Sequence, residues 1–169
     1  MSKGDWKIRE PKDVSTLTWQ VQDRTNSSLT VTIKPGEMLK QSSDGSNYVI
    51  PILTGDPEIG TDIVIGIAAT ESTETTTADG TVDVYMLTPE HTLEAKATTA
   101  ANVDTAAEIV ALQGDCVAAD VTSLAQTIDE NEGNDNNVRG LLIVGGNHEK
   151  NTLYVKVKSA ALWQGAAIA

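Results

Sequence analysis

One cysteine and two histidines in 169 residues leave this chain short of the side chains that most often do chemistry, and phenylalanine is absent altogether. Cys116 cannot form an intrachain disulfide, and without a second Cys or a His at ligand spacing it makes no zinc site. It reads as a small buried hydrophobe. His91 and His148 lie far apart in sequence and read as turn histidines. Long apolar runs are missing too: the longest, Ile63 to Ala69, is far too short to span a membrane. The opening MSKGDWKIREP lacks the apolar stretch of an export signal. The expectation is a protein made in a cytoplasm, with no membrane partner. Aromatic residues are only 4% of the chain. Any core therefore rests on Val, Ile, Leu and Ala, with Thr as the β-branched polar partner, which favours strands over helices.

Basic residues are scarce, 12 against 24 acidic ones, for a net charge of −12. Such a surface repels a phosphate backbone, so no direct nucleic-acid partner is expected. The charge is uneven. Residues 1–12 hold Lys3, Lys7, Arg9 and Lys12 against Asp5 and Glu10, a net of +2, which leaves −14 for the remainder. A basic segment on an acidic body can contact a surface different from anything the body repels.

What is present is a succession of short strand patterns. Residues 1–28 carry scattered charges, Pro11 and isolated apolar anchors at Trp6, Ile8, Leu17 and Trp19, and read as an extended arm, mobile until a partner orders it. From Leu29 the chain alternates, Leu29, Val31 and Ile33 on one face with Thr30 and Thr32 on the other, as a half-buried strand does. Pro35-Gly36 marks a turn. Strand patterns follow at Met38 to Leu39, Tyr48 to Leu53 and Ile63 to Ala69, the last apolar enough to be covered on both faces. Gly60 and Gly66 suit bends or close backbone approach. Val82, Val84 and Met86 alternate with Asp83 and Tyr85, and Leu93, Ala95 and Ala97 continue after a reversal at Pro89 to His91. Val103, Ala106, Ala107 and Val110 recur at helical spacing, which predicts a helix over about 103–112 with Asn102 or Asp104 as cap and Gly114 as stop. Cys116 to Val121 follows, then a hairpin from Leu141 to Val144 through GGNHEKN to Leu153, Val155 and Val157.

Candidate chemical sites are weak one by one. Asp129, Asn131, Asn134 and Asp135 have the flavour of a calcium loop, but Gly133 arrives one residue early and no flanking helices are evident. A solvated loop over Asp129 to Asn137 is the better reading. GLLIVGGN lacks the third glycine and the following helix of a phosphate-binding turn. No GxSxG elbow, Walker lysine or HExxH pair occurs. The chain is expected to be a structural module, with no catalytic residue, cofactor or metal.

The order of the segments PGEML, YVIPIL, IGIAAT, ADGTVDVYML and TPEHTLEAKAT over Leu29 to Thr99 resembles the β-tulip domain of tailed-phage head decoration proteins, also called capsid cement proteins. The resemblance implies a mainly β fold. Residues 1–28 would be a capsid-binding arm, 29–99 a β-tulip-like domain and 100–169 a small C-terminal α+β domain. It also implies a protein on the outer surface of the virion's icosahedral head that stabilises contacts between capsomers. Its partners would be the major capsid protein and itself, as a homotrimer on the capsid, and its arm residues Lys3, Trp6, Lys7, Ile8, Arg9, Lys12 and Trp19 would engage the shell. Thr-rich strands and acidic loops serve a receptor-binding or adhesive module of a phage fibre equally well. A hydrolase or sugar-binding domain would need a pocket of convergent polar groups.

Overall fold

Val, Ile and Thr are stiff at the first side-chain torsion and pack well on a pleated surface, so segments that alternate them with polar residues pair into sheets. The computed structural model describes residues 6–21, 31–43, 47–75, 78, 80–122 and 125–163. Over them the chain is mainly β. The strands are β1 (Lys7–Glu10), β2 (Thr16–Val21), β3 (Val31–Ile33), β4 (Met38–Gln41), β5 (Tyr48–Pro51), β6 (Val64–Ala68), β7 (Ser72–Glu74), β8 (Thr81–Met86), β9 (Thr92–Lys96), β10 (Cys116–Thr122), β11 (Ala125–Asp129), β12 (Leu141–Asn147) and β13 (Thr152–Val157). The helix α1 spans Ala106–Leu112.

Two sheet systems carry the fold. Strands β2, β5, β4, β6 and β8 close into a barrel, and β1, β9, β13, β12, β10 and β11 form a six-stranded sheet in that order. Strands β3 and β7 make a separate two-stranded ribbon. In the barrel β2 runs antiparallel to β8, Leu17 opposite Val84 and Trp19 opposite Val82, and parallel to β5, Gln20 opposite Tyr48. Val21, Leu39, Val49, Ile65, Val82 and Val84 form one buried cluster on these strands, with Ile33 of the ribbon added to it. Strand β6 is buried along its whole length, as its unbroken apolar run predicts. Its other residues, Val64 and Ile67, join Met38 and Ile52 in a second and larger cluster with Leu93, Ile128, Leu141, Ile143, Leu153 and Val155 of the six-stranded sheet. The barrel and the sheet are therefore two layers that share the larger cluster, while the smaller one fills the barrel side alone.

Two glycines are required where they stand. Gly36 has φ of 90° in the turn after Pro35, a conformation that a side chain makes costly. At Gly66 an added Cβ would collide with the Tyr85 carbonyl oxygen and sit 2.7 Å from Val84 Cγ1, so only glycine lets β6 approach β8.

The expected arm and domain border take a different form. The region read as an arm contains β1, at the edge of the six-stranded sheet, and β2, a barrel strand between β5 and β8. The scattered anchors lacked a sustained period because each strand is short and uses different neighbours. Residues 1–5 and 22–28, with Lys3, lie outside the described residues. Residue 99 is not a border between sheets: β9 pairs with β1 and β13, so the change from barrel to sheet falls between Met86 and Thr92. The helix starts three residues later than its periodicity suggests. Thr105 is its cap, accepting from the Glu108 amide at 3.3 Å while the Glu108 carboxylate accepts from the Thr105 amide at 3.0 Å. This reciprocal capping box holds the first turn closed. The hairpin of β12 and β13 follows its sequence pattern, with Ile143 opposite Val155.

Candidate functional site

Strand β1 begins from a buried tryptophan. The Trp6 indole is 2% exposed, and its Nε1 donates to Gln126 Oε1 at 2.9 Å. The same oxygen accepts from the Met38 amide at 2.7 Å, and Gln126 Nε2 donates to the Met38 carbonyl at 3.2 Å. The Trp6 amide donates to the Gly36 carbonyl at 2.8 Å. One side-chain amide thus joins the amino-terminal segment, barrel strand β4 and sheet strand β11. From this anchor β1 runs out along β9, with Ile8 half-buried on the large core and Lys7, Arg9 and Glu10 exposed.

The structure separates the residues expected to act together. Trp6, Lys7, Ile8 and Lys12 line one groove of about 620 Å³, floored by Ile67 and walled by Tyr85. Arg9 turns away: its guanidinium pairs with Glu94 at 3.0 Å and lies 4.0 Å from the centre of the Tyr154 ring. Trp19 lies in the barrel layer, edge-on to Trp163 with ring centres 5.4 Å apart, and its Nε1 is buried without a hydrogen-bond partner. The groove therefore has an apolar floor, a lysine at each of two rim positions, and beside it the outer edge of β1, which no other strand covers among the described residues. An unpaired edge presents a row of main-chain donors and acceptors to which an extended segment can add. Ile67 and Tyr85 were not foreseen, because only the packing of β6 and β8 against residues 6–14 brings them to this place.

A second polar constellation lies at the barrel wall. Lys40 Nζ on β4 stands 2.7 Å from Asp56 Oδ2 and 2.8 Å from Asp62 Oδ1, all three side chains largely buried. Asp56 Oδ2 also accepts from the Leu53 amide at 2.6 Å, and Asp62 Oδ2 from the Glu58 amide at 2.8 Å. Burial pushes the Asp56 carboxyl above its ordinary range despite the Lys40 and Leu53 hydrogen bonds. Burial acts on Asp62 in the same sense, but its bonds to Lys40, Glu58 and Asp56 outweigh it and hold that carboxyl low. No sequence signal marks this set, since 16 residues separate Lys40 from Asp56 and no motif links them.

The remaining candidates are spent on structure. Cys116 is buried, with Sγ donating to Asn136 Oδ1 at 3.3 Å. His91 Nδ1 accepts from the Thr88 amide at 2.9 Å within its turn, and His148 begins the short turn between β12 and β13. In the loop after β11, Asn134 accepts from the Cys116 amide, Asp135 from the amides of Asn137 and Val138, and Asp129 from the Asn131 amide. Among the described residues no group of three or more His, Cys, Asp or Glu is placed to hold a metal ion. Comparison with protein families, curated proteins and solved structures finds no match to this chain.

Proposed function

We propose that the protein is a capsid decoration protein, bound to the outer surface of an icosahedral phage head, where it stabilises contacts between capsomers by binding the major capsid protein. In this reading the barrel is the β-tulip element, the role is structural rather than enzymatic, and three copies cluster around three-fold positions. The observation that carries it is the outer edge of β1: a basic strand, paired on one side with β9 and uncovered on the other among the described residues, beside an apolar groove in a chain of net charge −12. An acidic body docks on a shell by shape, while a basic edge with an apolar slot accepts an extended segment bearing acidic and apolar residues. Closed three-fold contacts add avidity to modest single interfaces. The resemblance of the segment order over Leu29 to Thr99 to that of decoration proteins supports the same reading.

The test uses expanded heads that lack the protein. Full-length chain should saturate them, with affinity falling as salt rises. A Lys7→Glu, Lys12→Glu double variant should bind on the order of ten-fold more weakly at low salt through slower association. Equal binding by the double variant removes the β1 edge from the interface. Absence of head binding together with binding to host cells selects the fibre or adhesive reading instead.

A further inference from the structure

We infer that Lys40 and Asp56 become joined by an intramolecular isopeptide bond that the folded chain makes on itself, with Asp62 as the proton-transfer group. The inference stands on the barrel-wall constellation and is independent of any capsid.

The reacting groups are held together from several sides. Lys40 sits on β4 between its partners Ile50 on β5 and Val64 on β6. Asp56 lies on the link between those two strands, and that link is docked on the neighbouring sheet. The Gly55 amide donates to the Ala119 carbonyl at 2.9 Å, the Ala119 amide to the Asp56 carbonyl at 2.7 Å, and Arg139 to the Gly55 carbonyl at 3.2 Å. Asp62 is fixed by its own amide, which donates to the Glu58 carbonyl at 2.8 Å. The amine is thus kept in contact with one carboxyl and one potential base, and such fixed proximity replaces a bimolecular encounter.

Charge is distributed as the step needs. Asp56 is displaced toward its neutral acid form and Asp62 toward its ionised form. Two acids pushed apart by their surroundings take the two roles of electrophile and base. Lys40 begins as an ammonium. Burial lowers it, but its bonds to Asp56 and Asp62 outweigh burial and leave it above the ordinary lysine value. The amine is therefore the rarer form, and the bond forms slowly on the folded chain.

The step balances within the triad. A proton moves from Lys40 Nζ to Asp62 Oδ1 along the 2.8 Å hydrogen bond. The freed lone pair attacks Asp56 Cγ, a C–N bond forms, and the electrons of the C=O bond move onto oxygen. The Leu53 amide, already donating to Asp56 Oδ2, stabilises the negative charge that develops there. Nitrogen passes a second proton to the other carboxyl oxygen, which departs as water with its C–O bond as the C=O bond re-forms, and the amide remains. Ammonium and carboxylic acid become amide, water and one proton. Asp62 passes that proton to solvent and returns to carboxylate, and nothing is oxidised or reduced.

The experiment is the mass of the full-length folded protein, fresh and after prolonged incubation, followed by digestion and fragmentation. The expected result is a mass one water below that of the sequence, and a branched peptide joining the Lys40 and Asp56 fragments. Succinimide formation at Asp44-Gly45 or Asp79-Gly80 loses the same water, so a loss mapped there counts against the bond. Lys40→Arg and Asp62→Asn should keep the full sequence mass while remaining folded by circular dichroism. Should either variant unfold, wild-type protein held in denaturant from synthesis onward serves instead, and it should form no branched peptide. Aged, folded wild-type chain that yields only linear peptides with intact Lys40 and Asp56 overturns the inference.

Discussion

Gln126 shows how much one side chain can hold when its surroundings are dry. Its amide joins the Trp6 indole to both main-chain groups of Met38, and since the Met38 carbonyl also accepts from the Ile52 amide, Gln126→Leu would strand two buried donors, the Trp6 indole and the Met38 amide, at about 1–3 kcal/mol each. Trp6→Ala should cost about 3–5 kcal/mol, the range for emptying a large aromatic site. Denaturant titration of both variants checks this, and a midpoint unchanged from wild type would return Trp6 to the surface. Trp6 was visible in the sequence as an anchor, but its partner was not, because 120 residues separate it from Gln126. Glu132 supplies a pH signature. Burial lifts its carboxyl above the ordinary 4.5, with Arg139 acting against this and Asp129 and Asp120 reinforcing it. A raised carboxyl stabilises the fold below its unfolded value and loses that contribution as pH rises through its folded value. Glu132→Gln should therefore flatten the stability profile above pH 4.5, and a profile parallel to wild type would show that Glu132 does not set it.

Among the elements, those with sustained alternation were legible. The β8 pattern placed Val82, Val84 and Met86 inward, and the β12–β13 hairpin emerged with its facing residues in register. Where the pattern is short, it failed: β1 and β2 draw their stability from β9, β5 and β8 rather than from a period of their own. The helix starts later than the apolar spacing implies because the Thr105 and Glu108 pair, rather than the first apolar residue, closes the first turn. Three variants probe this scale by thermal melting. Val84→Asp places an unpaired charge at a site with no exposure and should destabilise by several kcal/mol, or about 3–5. Gly66→Ala should be destabilising by more than the fraction of a kcal/mol usual at open sites, because the neighbouring carbonyl of Tyr85 cannot yield without opening the barrel. A chain starting at Thr25 lacks β2, the strand between β5 and β8, and should fail to fold; a cooperative melt near that of the full chain would mean the barrel closes without it.

At the scale of the whole molecule, composition gave the mainly β class and the uneven charge, while the layering of barrel on sheet was out of reach. It depends on which face of each strand meets the other layer, and Val64, Ile65 and Ile67 are equally apolar yet divide between two cores. The groove at β1 was legible only in part: Trp6, Lys7, Ile8 and Lys12 came from the sequence, and its floor came from the tertiary fold. Cryo-electron microscopy of decorated heads should reveal clusters of three copies with β1 facing the shell, whereas solitary copies at capsomer centres would remove the three-fold arrangement. The sheet needs β1 from the start of the chain and β13 from near its end, and Trp163 reaches back to Trp19 and, through its amide, to the Val64 carbonyl. Trp6 meets Gln126 120 residues further along, and β1 meets its partner β9 across the whole barrel, so pairing of distant segments limits the speed of folding.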